Sequence, residues 1–194
     1  VPDWYIGSCK KIKYLFPKAH ATAYVMMAFR IAWFKVHKPL AFYAAYFYRR
    51  SQKDGFDAAM MCHGIETVRE NMTAIKAKED ATAKDDDLFT TLELCYEFYL
   101  RGFRFAPIDL YKSHATRFQL EDGKLLPPFV AISGLGESAA IDLARIKESG
   151  KRYISVEELS RDCPKVSQTH LEALKALGAL GDMPESNQIN LFEM

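Results

Sequence analysis

Apolar residues crowd the first third of the chain and then thin into helical periodicity. Ala19 to His37 is dense in Ala, Met and aromatic residues, with almost no polar face, which predicts a long and largely buried helix. Pro39 ends it, and Pro39 to Arg50 predicts a second buried helix. Upstream, Asp3 to Tyr14 reads as a short helix with the basic exit Lys10-Lys11-Ile12-Lys13, broken at Phe16-Pro17-Lys18. Phe56 to Lys78 predicts an amphipathic helix, with Ile65, Val68, Met72 and Ile75 three or four residues apart. Lys84-Asp85-Asp86-Asp87 opens a further helix, Asp87 to Arg101, placing acids where the helix dipole favours them, and Gly102 closes it.

After Gly102 the pattern shortens. Phe103-Arg104-Phe105 and Phe118-Gln119-Leu120 alternate and flank turn residues, which predicts two short strands, and Asp122-Gly123 is a hairpin-turn signal. Pro127-Pro128 then leads to Ile132-Ser133-Gly134-Leu135-Gly136-Glu137-Ser138-Ala139-Ala140 and the helix-forming run Ile141 to Lys147. A Ser155-x-x-Glu158 capping box starts a further short helix. Lys165-Val166-Ser167 leads into a helix from Gln168 to Leu177, and Gly178-Ala179-Leu180-Gly181 caps and turns it, giving a degenerate partner of the first hairpin. The expected fold class is mainly α with a few short strands (α+β).

The glycine segment carries the most specific chemistry. Glycines on either side of Leu135 let the backbone turn sharply, since glycine accepts positive φ without steric cost. The turn opens a helix whose first N–H groups lack internal partners and carry the positive end of the dipole, so a phosphate can sit on them. Leu135 is free to pack inward, and Ala140 permits close helix approach. This is a helix-hairpin-helix pattern, which holds a nucleic-acid backbone without reading bases. An ordinary αα-hairpin with a glycine turn is the alternative. A dinucleotide-binding loop is not supported, because the third glycine and the preceding strand are missing.

Charge changes the picture more than overall composition does. The formal net charge is +1, yet residues 1–53 carry ten Lys and Arg against one acid, Asp3, leaving the remainder acidic. The basic part is interleaved with aromatics, a combination suited to a polyanion, although helical spacing assigns most of these aromatics to packing. At 194 residues one or two domains are expected. No stretch supplies the roughly 18 uncharged apolar residues of a membrane span, and Ala19 to Trp33 contains Arg30. The first residues, Val1-Pro2-Asp3-Trp4, show no signal peptide and no initiator Met, so the chain reads as a piece of a longer protein. Cys9, Cys62, Cys95 and Cys163 are dispersed, which fits free thiols in a reducing cytoplasm and no metal site. Asp85, Asp86 and Asp87 read as a solvated N-cap cluster rather than as metal ligands. The tail runs polar to Gln188-Ile189-Asn190-Leu191-Phe192, supplying one amide and apolar anchors for a partner's pocket or, alternatively, folding back on its own domain.

Taken together and in order, these segments resemble one family. Phe16-Pro17-Lys18-Ala19-His20-Ala21-Thr22-Ala23-Tyr24, the apolar helix after it and Lys35-Val36-His37-Lys38-Pro39 are similar to the fingers of family C bacterial replicative DNA polymerases. Trp4-Tyr5-Ile6, Ser8 to Tyr14, Asp109-Leu110-Tyr111-Lys112-Ser113, Pro127-Pro128-Phe129, Ile132 to Ala140 and the terminal Gln-Ile-Asn-Leu-Phe resemble the PolC-type branch, the DNA polymerase III alpha subunit of low-GC Gram-positive bacteria. The resemblance implies three parts: a distal fingers region over 1–105, a paired helix-hairpin-helix domain binding duplex primer-template DNA over 106–182, and a tail over 183–194 that docks on the sliding clamp (beta subunit). It implies that Lys18 and His20 face the triphosphate of the incoming dNTP and that Tyr24 backs the nascent base pair. It further implies that Gly134, Leu135, Gly136, Ser138, Lys147 and Lys165 serve DNA binding, and Gln188, Ile189, Leu191 and Phe192 clamp binding. Catalytic residues and their Mg2+ belong to the palm, which with the thumb would precede this C-terminal stretch, so the piece alone is expected to be inactive. A stand-alone helix-hairpin-helix DNA-binding or clamp-adaptor module is the second reading. The expected location is the cytoplasm, at replication forks.

Overall fold

Helices form wherever apolar residues recur at three- and four-residue spacing, and local capping sets most of their boundaries. The computed structural model describes residues 1–12, 17–52 and 55–187. The chain divides into two compact units, Val1–Phe42 and Tyr43–Met194.

In the first unit, α1 (Asp3–Lys11) carries Asp3 in its first turn and Lys10 and Lys11 in its last, matching the helix dipole. Lys13, Tyr14 and Phe16, where the sequence places the end of this helix and the break, lie outside the described residues. Helix α2 (Lys18–His37) follows Pro17 and ends at Lys38, whose φ of −137° and ψ of 55° leave the helical region before Pro39. Its expected burial is not found. None of the described residues in 1–42 is buried, and Tyr24, Phe29 and Val36 are 64%, 73% and 66% exposed. An all-round apolar helix is buried only where other elements cover it, and residues 1–42 supply too few.

Helix α3 (Pro39–Ser51) turns only one face inward, burying Tyr43, Phe47 and Ser51. The second unit gathers an aromatic core around that face. Phe47 is fully buried, with ring centroids 5.8 Å from Phe98, 5.1 Å from Phe56, 5.5 Å from Phe105 and 5.9 Å from Phe118. The single helix expected over Phe56 to Lys78 is two, α4 (Ala58–Met61) and α5 (Ile65–Lys76). Gly64 interrupts them at φ 115°, outside helical space. Tyr99 fixes the elbow by donating to the Met61 carbonyl at 2.8 Å and accepting from Gly64 N–H at 3.2 Å.

Helix α6 (Ala83–Leu100) starts four residues earlier than the acidic run suggests, because Thr82 is the N-cap and Asp85 completes a capping box. Strands β1 (Gln119–Glu121) and β2 (Lys124–Leu126) pair antiparallel. Asp122 and Gly123 turn between them at φ 48° and 76°, the positive pair that matches strand twist in a two-residue hairpin. Phe103 to Phe105 is not a named strand. Phe105 forms only a parallel bridge to Leu125, flanked by Ala106 N–H to Leu125 O at 2.8 Å and Leu125 N–H to Arg104 O at 3.1 Å.

The remaining elements are helical: a 3₁₀ turn at Phe129–Ala131, α7 (Glu137–Ser149), α8 (Val156–Asp162) and α9 (Gln168–Ala176). Leu135, Ala140, Leu143, Leu159, Leu171 and Leu174 form their shared core. The class is thus mainly α, with one two-stranded sheet among the described residues.

Candidate nucleic-acid interface

Two helical hairpins stand side by side in the second unit. The first runs from the 3₁₀ turn through Ile132–Gly136 into α7, and the second from α8 through Cys163–Ser167 into α9. In the first, Leu135 N–H donates to Ile132 O at 3.1 Å. Leu135 is buried, while Gly134, Gly136 and Ser138 are exposed, so the apolar residue anchors a loop whose glycines face out. Gly134 takes φ 79°, the left-handed conformation expected of it. Gly136 does not. It is the N-cap of α7 at φ −67° and ψ 161°, a conformation open to any residue.

Nothing within the fold requires a glycine at Gly136, since an added Cβ would meet no heavy atom within 4 Å. Its absence keeps the approach to the α7 N-terminus clear. No side chain caps that terminus, and among the described residues no acceptor meets the N–H groups of Gly136, Glu137 and Ser138. Its neighbours are closed. Val156 N–H and Glu157 N–H at the start of α8 donate to Pro184 O and Glu185 O at 2.9 and 3.0 Å. At the start of α9, Ser167 accepts from His170 N–H at 3.3 Å. The open amides of α7 are therefore disposed to receive an external anion.

The remaining DNA-binding candidates are dispersed. Lys165 turns toward Asp142, with Nζ 4.0 Å from Oδ1, and Arg145 reaches the same carboxylate at 3.3 Å. Lys147 is exposed in the last turn of α7, about 16 Å along the axis from Gly136 at 1.5 Å per residue, so the two do not form one site. The sequence reading missed Lys84. It lines a cleft of about 560 Å³ together with Gly134, Leu135, Gly136 and Glu137. Asp57 shares the cleft, its carboxyl held above the usual range by burial, with the Ala59 and Met60 amides opposing. Only the folded arrangement of α6 against the hairpin reveals Lys84.

On α2, His20 and Tyr24 meet edge-on, ring centroids 4.5 Å apart. Lys18 opens the helix, its carbonyl accepting from the Thr22 hydroxyl at 2.9 Å, and lies about 200° around the axis from His20. The structure thus groups His20 with Tyr24 and sets Lys18 on another face. Asp85 caps α6 and pairs with Lys78 at 2.5 Å, and Asp87 pairs with Arg50 at 2.9 Å. No group of three or more His, Cys, Asp or Glu among the described residues is arranged to hold a metal ion. Gln188, Ile189, Leu191 and Phe192 lie outside the described residues.

Paired hairpins meeting through an apolar core, one with a glycine loop feeding an open helix N-terminus, define a helix-hairpin-helix segment. The helix-hairpin-helix motif family matches residues 102–189. Across all of this chain, DNA polymerase III PolC-type of Streptococcus suis (strain 98HAH33) and of Streptococcus thermophilus (strain CNRZ 1066) are 50% identical over 196 residues. That of Streptococcus pneumoniae (strain ATCC BAA-255 / R6) is 48% identical. The chain belongs to this PolC-type DNA polymerase III family and spans 13% of the length of these relatives. No helix among the described residues is long and apolar enough to cross a membrane.

Proposed function

We propose that this chain is the duplex-binding and distal fingers portion of a replicative DNA polymerase. The observation that carries the reading is the uncapped N-terminus of α7 behind Gly134-Leu135-Gly136, in a segment matching a helix-hairpin-helix family. The amides there hold a backbone phosphate of primer-template DNA, Leu135 braces the loop from beneath, and Lys84 lines the same cleft. Binding of this kind is blind to sequence and sensitive to salt. Duplexes of unrelated sequence are therefore expected to bind with equal affinity, and log Kd is expected to rise linearly with log salt concentration. Preference for one sequence, or indifference to salt, overturns the reading.

In the first unit, Lys18 serves the triphosphate, while His20 and Tyr24, which meet on another face of α2, serve the nascent base pair. Cations beside a transferring phosphoryl group stabilise its developing charge, so Lys18→Ala is expected to lower turnover in the full-length polymerase, and unchanged kinetics contradict that role. The tail, through Gln188, Ile189, Leu191 and Phe192, docks on the sliding clamp. Mg2+ and the catalytic carboxylates belong to the polymerase palm, outside this chain.

A further inference from the structure

One imidazole joins the two hairpins. His170 sits in the first turn of α9. Its Nδ1 lies 3.1 Å from the Ser167 amide N–H, and its Nε2 lies 3.0 Å from the carbonyl oxygen of Gly134. The partners settle the proton. A backbone N–H can only donate, so Nδ1 carries the lone pair. A carbonyl can only accept, so Nε2 carries the hydrogen. The neutral ring therefore closes a capping box on α9 and reaches across to the first glycine loop at the same time.

Gly134 is where such a tether matters. The residue stands at φ 79° and is exposed, and the bond to its carbonyl ties the peptide that leads into the open amides of α7 to the second hairpin. Beyond this bond, the hairpins share a buried core in which Leu135 and Leu171 are 4% and 2% exposed. The N–H of the Gly134 peptide, that of Leu135, donates to Ile132 O at 3.1 Å, so the loop is tied within its own hairpin on one side and, through His170, to the second hairpin on the other.

Resting on the duplex-binding reading above, we propose that His170 is a positioning residue for DNA: it locks the Gly134 peptide against the second hairpin, so that both hairpins meet the phosphate backbone as one preformed surface. Preorganisation removes the ordering cost otherwise incurred when DNA binds. The sequence offers no sign of this role, because a histidine three residues after a serine reads only as part of a helix start.

Two variants of the full chain separate this role from simple helix capping. His170→Ala loses both bonds. His170→Gln keeps the capping bond, since a Gln at this position accepts from the N-cap amide with its carbonyl oxygen, and it carries an amide N–H for Gly134 about as far from that oxygen as one ring nitrogen is from the other. Affinity for a blunt duplex by fluorescence anisotropy and the thermal midpoint are measured for each. The expected result is a roughly fivefold or larger loss of affinity in His170→Ala and near-complete recovery in His170→Gln. In the unchanged protein, ¹⁵N spectra of the ring are expected to show Nδ1 bare and Nε2 protonated. A folded His170→Ala that binds as the unchanged protein does overturns the proposal. So does a stable His170→Gln that remains as weak as His170→Ala, or a ring protonated at Nδ1. Failure of the unchanged protein to bind any duplex overturns the DNA-binding reading itself, and this proposal with it.

Discussion

At the scale of single residues, the two glycines of the first hairpin have different duties. Gly134 needs its lack of a side chain for conformation, at φ 79°, where an L-residue costs about 1–2 kcal/mol. Gly136 stands in ordinary extended backbone with open space around it. Both glycines were legible as a turn, but only the structure separates the strained position from the unobstructed one. Charge shows a similar division. Lys151 donates to Asp162 at 2.7 Å and lies 2.8 Å from Glu158. These hydrogen bonds hold both carboxyls below the usual carboxylate range and raise the lysine. A carboxyl lowered by folding stabilises the fold above its unfolded value, about 4, and loses that contribution as pH falls through the folded one. A raised lysine contributes below its unfolded value, about 10.4, and loses its contribution as pH rises through the folded one. Lys151→Ala is accordingly expected to lower the thermal midpoint at pH 7, with the gap narrowing as pH falls below about 4. A gap that stays constant into acid contradicts the assignment.

At the scale of elements, periodicity found most of the helices and capping decided where they begin. The acidic run after Lys84 marks a helix start, yet Thr82 sets the boundary, because a hydroxyl acceptor for the Asp85 amide outweighs the dipole preference of the acids. The break at Gly64 escaped the period-based reading, since Ile65, Val68, Met72 and Ile75 keep their spacing beyond it and the helix before it lasts only four residues. Phe103 to Phe105 had the alternation of a strand, but its aromatics are recruited into the core around Phe47 and just one bridge forms. That core unites α3, α6 and the hairpin strands, so Phe47→Ala is expected to destabilise the second unit by about 3–5 kcal/mol, measured by urea unfolding. A loss below about 1 kcal/mol means the rings are not mutually supporting.

At the scale of the whole molecule, the order of motifs made the family legible from the sequence, and a match across the full chain at half identity bears it out. The burial of α2 was not legible, because the composition that suits a buried helix says nothing about which residues cover it. Nor did the sequence reveal Lys84 and His170 beside the glycine loop, since both arrive from distant elements. The tail is assigned to the clamp by sequence alone. Replacing Gln188, Leu191 and Phe192 together by alanine is expected to abolish binding to the purified sliding clamp while leaving duplex affinity unchanged, and clamp binding that survives the change returns the tail to a structural role. The central claim, that the open N-terminus of α7 holds duplex DNA by its backbone, is tested most directly by Gly136→Val in a fluorescence anisotropy titration against duplexes of unrelated sequence. The substitution costs the fold at most about 1 kcal/mol through a weaker N-cap, but it places a branched side chain where the phosphate would sit. Losing one or two charge-assisted hydrogen bonds predicts a drop in affinity of roughly tenfold or more, equal for every sequence tested. A folded Gly136→Val that binds as tightly as the unchanged chain, or that loses affinity for some sequences and not others, contradicts the claim.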